Sequence, residues 1–143
     1  MDGSNTLILA APMFQNCGGW VLDTQFVTTM GMPYLLAHGL GRPVEDAYTV
    51  FSVAQSGKYR LFVYTFNWVA PWKKAEAPGL FEVHLNAEKV GPVFGCESPD
   101  WGWEAVYSCQ LFLISSASVR SIPFLPLLCL SLHEMFFWYL YFS

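Results

Sequence analysis

The stretch Gly57–Trp72, GKYRLFVYTFNWVAPW, constrains the fold more than any other part of the chain. A glycine opens it, and the residues Tyr59–Phe66 carry a single charge, Arg60, among mostly aromatic and β-branched side chains. Such residues suit a pleated, buried surface, so the run reads as a central strand. At ~3.3 Å per residue it extends roughly 26 Å, enough to cross a small sandwich. The run stops at Asn67, and Pro71, which has no N–H to offer a ladder, keeps the following segment out of the sheet. The strand therefore delivers Trp68 and Trp72 to one end of a domain.

A chain of 143 residues that is 54% hydrophobic and only 13% charged has the material for one packed domain and not the balance of a disordered one. Its net charge of -4 comes with one adjacent cationic pair, Lys73-Lys74, which excludes a nucleic-acid partner that needs several cations on one face. The four cysteines, Cys17, Cys96, Cys109 and Cys129, show no C-x-x-C spacing, and the scattered His38, His84 and His133 do not complete a metal site. They read as buried or incidental thiols, with Cys17–Cys96 the one disulfide considered. The start, MDGSNTLILAAP, has neither the basic region nor the long apolar run of a secretory signal, which favours a cytosolic chain.

Taken in order, Leu7–Ala11 and Trp20–Asp23 read as short strands, separated by the turn Asn16-Cys17-Gly18-Gly19. Thr24–Met30 is strand-like or irregular, and Tyr34–Ala37 runs into the bend around His38. Ala47–Val53 alternates, with Tyr48, Val50 and Ser52 on one face and Thr49, Phe51 and Val53 on the other. Leu80–Asn86 gives the cleanest alternation: Phe81, Val83 and Leu85 face inward, Glu82, His84 and Asn86 outward. A hairpin tip is expected at Asn86-Ala87-Glu88, then strands at Val93-Phe94 and Trp101–Glu104. The expected fold is all-β, a jelly-roll-like antiparallel β-sandwich.

From Gln110 to Ser143 the only charges are Arg120 and Glu134. The pattern places a sandwich module at 1–105 and an apolar tail at 106–143, which leaves the sandwich incomplete. Ile122–Ser143 is long enough to cross a bilayer, although Glu134 near its middle costs ~2.5–3.5 kcal/mol there. The tail thus reads either as membrane-associated or as the product of a reading frame never selected to fold.

No catalytic constellation emerges. Glu45-Asp46 and Glu97/Asp100 are carboxylate neighbours in turns, and His38 and His84 have no assignable partner acid. The rings of Trp68, Trp72, Trp101 and Trp103, beside loops and strand ends, are the candidate docking or sugar-binding surface, with Asn67, Asp100 and Glu104 as polar neighbours. The competing reading is that these rings seal the ends of the core. Trp20, beside two glycines, is expected in the core.

The segments GGWVLDTQF (18–26), MGMPYLLAHGLGRPVEDA (30–47), GKYRLFVYTFNWVAPW (57–72), APGLFEVHLNAEKV (77–90) and FGCESPDWGWE (94–104) resemble one family, the N-terminal β-sandwich module of FAD-dependent oxidoreductases of the xanthan lyase-like type. The resemblance implies a jelly-roll accessory module of an oxidoreductase. No G-x-G-x-x-G occurs, so no flavin site is carried over and no cofactor is expected in this chain. The expected function is a non-catalytic module docking on a flavin oxidoreductase domain outside this chain. The alternatives are a carbohydrate-binding module that takes a polysaccharide, or a small protein anchored in a membrane by 122–143.

Overall fold

A computed structural model of the chain describes residues 6–37, 42–65, 80–94, 102–121 and 140–142. Inward-facing apolar positions at period two build two four-stranded antiparallel sheets, whose buried faces share one core. The strands are β1 (Leu7–Leu9), β2 (Trp20–Asp23), β3 (Tyr34–Ala37), β4 (Ala47–Ser52), β5 (Gly57–Thr65), β6 (Phe81–Leu85), β7 (Glu88–Phe94), β8 (Gly102–Leu111), β9 (Ile114–Ser121) and β10 (Leu140–Phe142). One sheet has the order β1-β10-β5-β8, the other β4-β9-β6-β7, and β2 pairs with β3 in a small third sheet. The expected central strand is central: β5 lies between β8 and β10, with Tyr59, Leu61 and Val63 buried. β4 and β6 alternate in the sense expected from their sequences.

The chain changes sheet at almost every connection, as a jelly roll requires. The turns β4–β5, β6–β7 and β8–β9 are short and lie at one end of the sandwich. The strand ends Thr65, Phe81, Phe94, Gly102, Ser121 and Leu140 all lie at the other end.

The division expected at residue 105 falls inside a strand. β8 runs unbroken from Gly102 to Leu111, pairing with the whole of β5. The register shifts between Phe62 and Val63, which face Val106 and Glu104, so Ala105 is the extra residue of a β-bulge. The bulge resets the alternation at the point where the sequence pattern fails. Beyond it β9 sits between β4 and β6, and β10 sits between β1 and β5. The strands wanted to complete the sandwich are therefore supplied by residues after Ala105.

Two local readings are corrected. Thr24–Met30 is not a strand: the Gln25 N–H donates to Asp23 Oδ1 at 2.7 Å, and one helical turn, Val27–Met30, follows. Gly31, at φ +82°, ends that turn by donating its N–H to the Val27 carbonyl. The second concerns the tip between β6 and β7, where Leu85 pairs directly with Glu88. That leaves a two-residue loop, Asn86-Ala87, with φ of 51° and 67°. Both central residues are left-handed, as a type I′ hairpin demands, and an alanine is strained there. Ala87→Gly relieves the strain but loosens the unfolded chain, so a net stabilisation of about 0.5–1 kcal/mol is expected, read as a raised urea midpoint at unchanged slope.

Glycine is required at the turn before β2. A Cβ on Gly18, itself at φ +55°, would lie 2.3 Å from the Asp46 carbonyl oxygen, and one on Gly19 would lie 2.7 Å from Val44 Cβ. The pair lets the Asn16–Gly19 turn press against residues 44–46, with Gly19 N–H donating to the Glu45 carbonyl at 3.1 Å. Trp20 follows directly and is 3% exposed, in the core as expected.

Candidate functional site

The end of the sandwich opposite the short turns is where the tryptophan-bearing segments of the sequence join the described strands. Thr65, the last residue of β5, pairs with Gly102, the first of β8. In sequence, Trp68 lies three residues after Thr65 and Trp101 directly before Gly102. On the second sheet Phe81 pairs with both Phe94 and Ser121. Residues 66–79, 95–101 and 122–139 are thus bracketed by neighbouring positions of the two sheets. Asn67, Trp68, Trp72, Asp100 and Trp101 lie outside the described residues. Trp103 lies in β8, its backbone paired with Tyr64, and Glu104 pairs with Val63.

The described side chains at this end form a fixed rim. Ser121 Oγ accepts from the Val44 N–H at 2.7 Å and donates to the Val44 carbonyl at 3.2 Å, tying the approach to β4 onto the end of β9. Arg120 Nε donates to Asp46 Oδ2 at 3.1 Å, an ion pair half open to water that contributes at most about 1 kcal/mol. Of the acidic pair Glu45-Asp46, then, Asp46 is bound to a cation and Glu45 gives its carbonyl to Gly19.

On the outer face of the second sheet, His84 is not the solvent-exposed residue expected from its position. Its side chain is 12% exposed and its Nε2 lies 3.1 Å from Glu82 Oε2. Lys89 Nζ binds the other oxygen of Glu82. The hydrogen bond from Lys89, then that from His84, holds the Glu82 carboxyl below the usual carboxylate range, against the opposing pull of partial burial. These three stabilise cross-strand packing on a sheet face.

Burial alone pushes the Cys109 thiol up to about 11, so it is an inert core group. Cys17 is a free thiol packed against the core, and Cys96, the partner considered for it, lies outside the described residues. Among the described residues no three His, Cys, Asp or Glu side chains are placed to hold a metal ion. Among those residues no helix is long and apolar enough to cross a membrane. Of the stretch 122–143, Leu140–Phe142 is a strand hydrogen-bonded between β1 and β5.

No protein-family model and no curated protein matches the sequence. Solved structures do match. A family 35 carbohydrate-binding module from Clostridium thermocellum aligns with a TM-score of 0.54 at 14% identity, over 96% of this chain and 90% of that one. A family 35 module from an environmental isolate aligns at 0.62 and 10% identity, over 96% and 92%. The GH26-CBM35 β-(1,4)-mannanase of Podospora anserina aligns at 0.66 and 13% identity, over 97% of this chain, which spans 27% of that enzyme chain. The fold is that of these modules: an antiparallel, jelly-roll-like sandwich.

This overturns the expected kinship with accessory modules of FAD-dependent oxidoreductases. The structural neighbours are carbohydrate-binding modules and enzymes that carry them. The glycines of GGWVLDTQF answer to packing against residues 44–46 within the sandwich. The matched share, 96%, also exceeds what residues 1–105 of 143 can supply, so residues after 105 belong to the common fold.

Proposed function

We propose that this chain is a non-catalytic carbohydrate-binding module that takes a polysaccharide. The observation that carries the reading is correspondence at full length: almost the whole chain aligns with almost the whole of modules whose described role is carbohydrate binding. Supporting it, the sequence places Trp68, Trp72, Trp101 and Trp103 within seven residues of the Thr65–Gly102 pair, where two strands of one sheet end together. In this reading the indole faces stack on the apolar faces of sugar rings while Asn67 and its polar neighbours take hydroxyl hydrogen bonds.

One indole face covers about 80–100 Å² of apolar surface, which at ~25 cal/mol/Å² is about 2 kcal/mol, or roughly thirtyfold in affinity. Trp72→Ala is therefore expected to abolish retardation of the full chain in polysaccharide-containing gels at concentrations that retard the native protein. Absence of retardation across neutral and acidic polysaccharides would refute the proposal. Retardation that survives Trp72→Ala and Trp68→Ala together would move the site elsewhere on the module.

A further inference from the structure

The opposite end of the sandwich carries a built groove. Its walls are the β6–β7 hairpin on one side and the end of β8 with its following turn on the other, and its volume is about 600 Å³. That lies within the ~300–1,000 Å³ range of small-ligand clefts. Asn86, Glu88 and Lys89 line the first wall, and Ser108, Gln110 and Phe112 the second. β7 pairs only with β6 and β8 only with β5 among the described residues, so both walls also present unladdered strand edges.

Both walls are pinned by one side chain. Ser115, 2% exposed, donates its hydroxyl to the Phe112 carbonyl at 3.1 Å and accepts the Phe112 N–H at 2.9 Å. The same oxygen accepts from Asn86 Nδ2 at 3.4 Å. Asn86 Oδ1 in turn accepts the Ser116 N–H at 3.0 Å, and Leu113 N–H donates to Ser56 Oγ at 2.9 Å. The groove is thus held open by hydrogen bonds within the fold, and a ligand entering it need not order its walls.

The turn that Ser115 fixes leaves Phe112 53% exposed at the mouth. An aromatic ring held toward water, in a groove whose lining adds the Asn86 and Gln110 amides, the Ser108 hydroxyl and the Glu88 carboxylate, is complementary to a pyranose, which has an apolar ring face and a rim of hydroxyls. Glu88 disfavours an anionic sugar, and Lys89 is already paired with Glu82. We infer that this groove is a second carbohydrate-binding site, remote from the tryptophan end, that takes a neutral pyranose unit on Phe112 with Gln110 and Ser108 hydrogen-bonding its hydroxyls. The inference rests on the proposed carbohydrate-binding function and adds a second point of attachment to it, which raises avidity for a long polysaccharide.

The test is an amide-resolved NMR titration of the full chain with mannohexaose, cellohexaose and a neutral xylo-oligosaccharide, with an oligogalacturonate as the anionic control. Saturable shifts at Glu88–Gly91 and at the Gln110 side-chain amide are expected with a neutral oligosaccharide. They should weaken at least tenfold in Phe112→Ala and persist in Trp72→Ala. Gln110→Ala, an exposed-side-chain change, serves if Phe112→Ala does not fold. Shifts confined to the tryptophan end, and lost in Trp72→Ala, overturn the second site and leave the proposed function standing. Groove shifts that appear only with oligogalacturonate overturn the neutral-sugar assignment. No shift anywhere with any of the oligosaccharides overturns both.

Discussion

A chain cut after Ala105 is expected not to fold. The deletion removes β9, which is hydrogen-bonded on both sides, to β4 through Ala47–Ser52 and to β6 through Phe81–Leu85. It also removes β10 from between β1 and β5, and Val106–Leu111 from the ladder of β5. Cys109, Leu111, Ala117 and Val119 leave the core with them. The two large side chains contribute about 1.5–3 kcal/mol each through burial, and Ala117 about 0.8. That direct loss of about 4–7 kcal/mol is already comparable with a typical domain stability of about 5–15. The indirect loss is larger, because each sheet is cut through its middle and Phe51, Phe81, Val83 and Leu85 lose their lateral cover. Residues 1–105 should therefore show neither a cooperative thermal transition nor dispersed amide resonances, while the full chain shows both. A cooperative transition of 1–105 near the full-chain midpoint would mean that 106–143 is dispensable to the sandwich.

The first two thirds of the fold were legible because large apolar residues mark its inward faces. In β4 and β6 every second position is buried, and in β6 Phe81, Val83 and Leu85 contrast sharply with Glu82, His84 and Asn86. In β9 the alternation is equally regular, but the buried positions are Ser115, Ala117, Val119 and Ser121 and the outer ones Ser116, Ser118 and Arg120. Serine on both faces removes the hydropathy contrast, so a central strand passes for patternless sequence. Small inward residues suit a strand that lies opposite bulky ones, here in a core crowded with Phe51, Phe81 and Phe94. In β8 the bulge at Ala105 shifts the phase, hiding the strand from any search for an unbroken period. The tryptophans of the proposed site stand out in the sequence as composition near one strand end. The groove does not, since residues 86–91 and 108–112 hold no motif and only the pairing of Asn86 with Ser115 and Ser116 brings their turns together.

Phe81→Ala is expected to be the most damaging single truncation in the core. Phe81 is fully buried at the start of β6, stacked on Phe94 with centroids 5.6 Å apart and planes at 27°. Trp20 of β2 meets the same ring edge-on, at 6.3 Å and 86°. The ring therefore joins the second sheet to the small third sheet, and its backbone, like those of Val83, His84 and Leu85, pairs with both β7 and β9. Removing it leaves a cavity that three backbones hold open, so the cost should fall at about 3–5 kcal/mol, with two aromatic contacts of about 0.5–1.5 kcal/mol each inside that figure. Phe81→Leu keeps most of the volume and loses the ring geometry, and should cost about 1–1.5 kcal/mol. Urea unfolding of the two variants separates the terms, and a cost below about 1 kcal/mol for Phe81→Ala would show that the site collapses and the ring is no junction. Phe81 and Phe94 also end the strands that bracket residues 66–80 and 95–101, whereas the groove lies at the far ends of the same strands. Below its unfolding transition Phe81→Ala should therefore weaken the proposed binding at the tryptophan end more than that proposed in the groove, a separation that uniform loss of folded protein cannot produce.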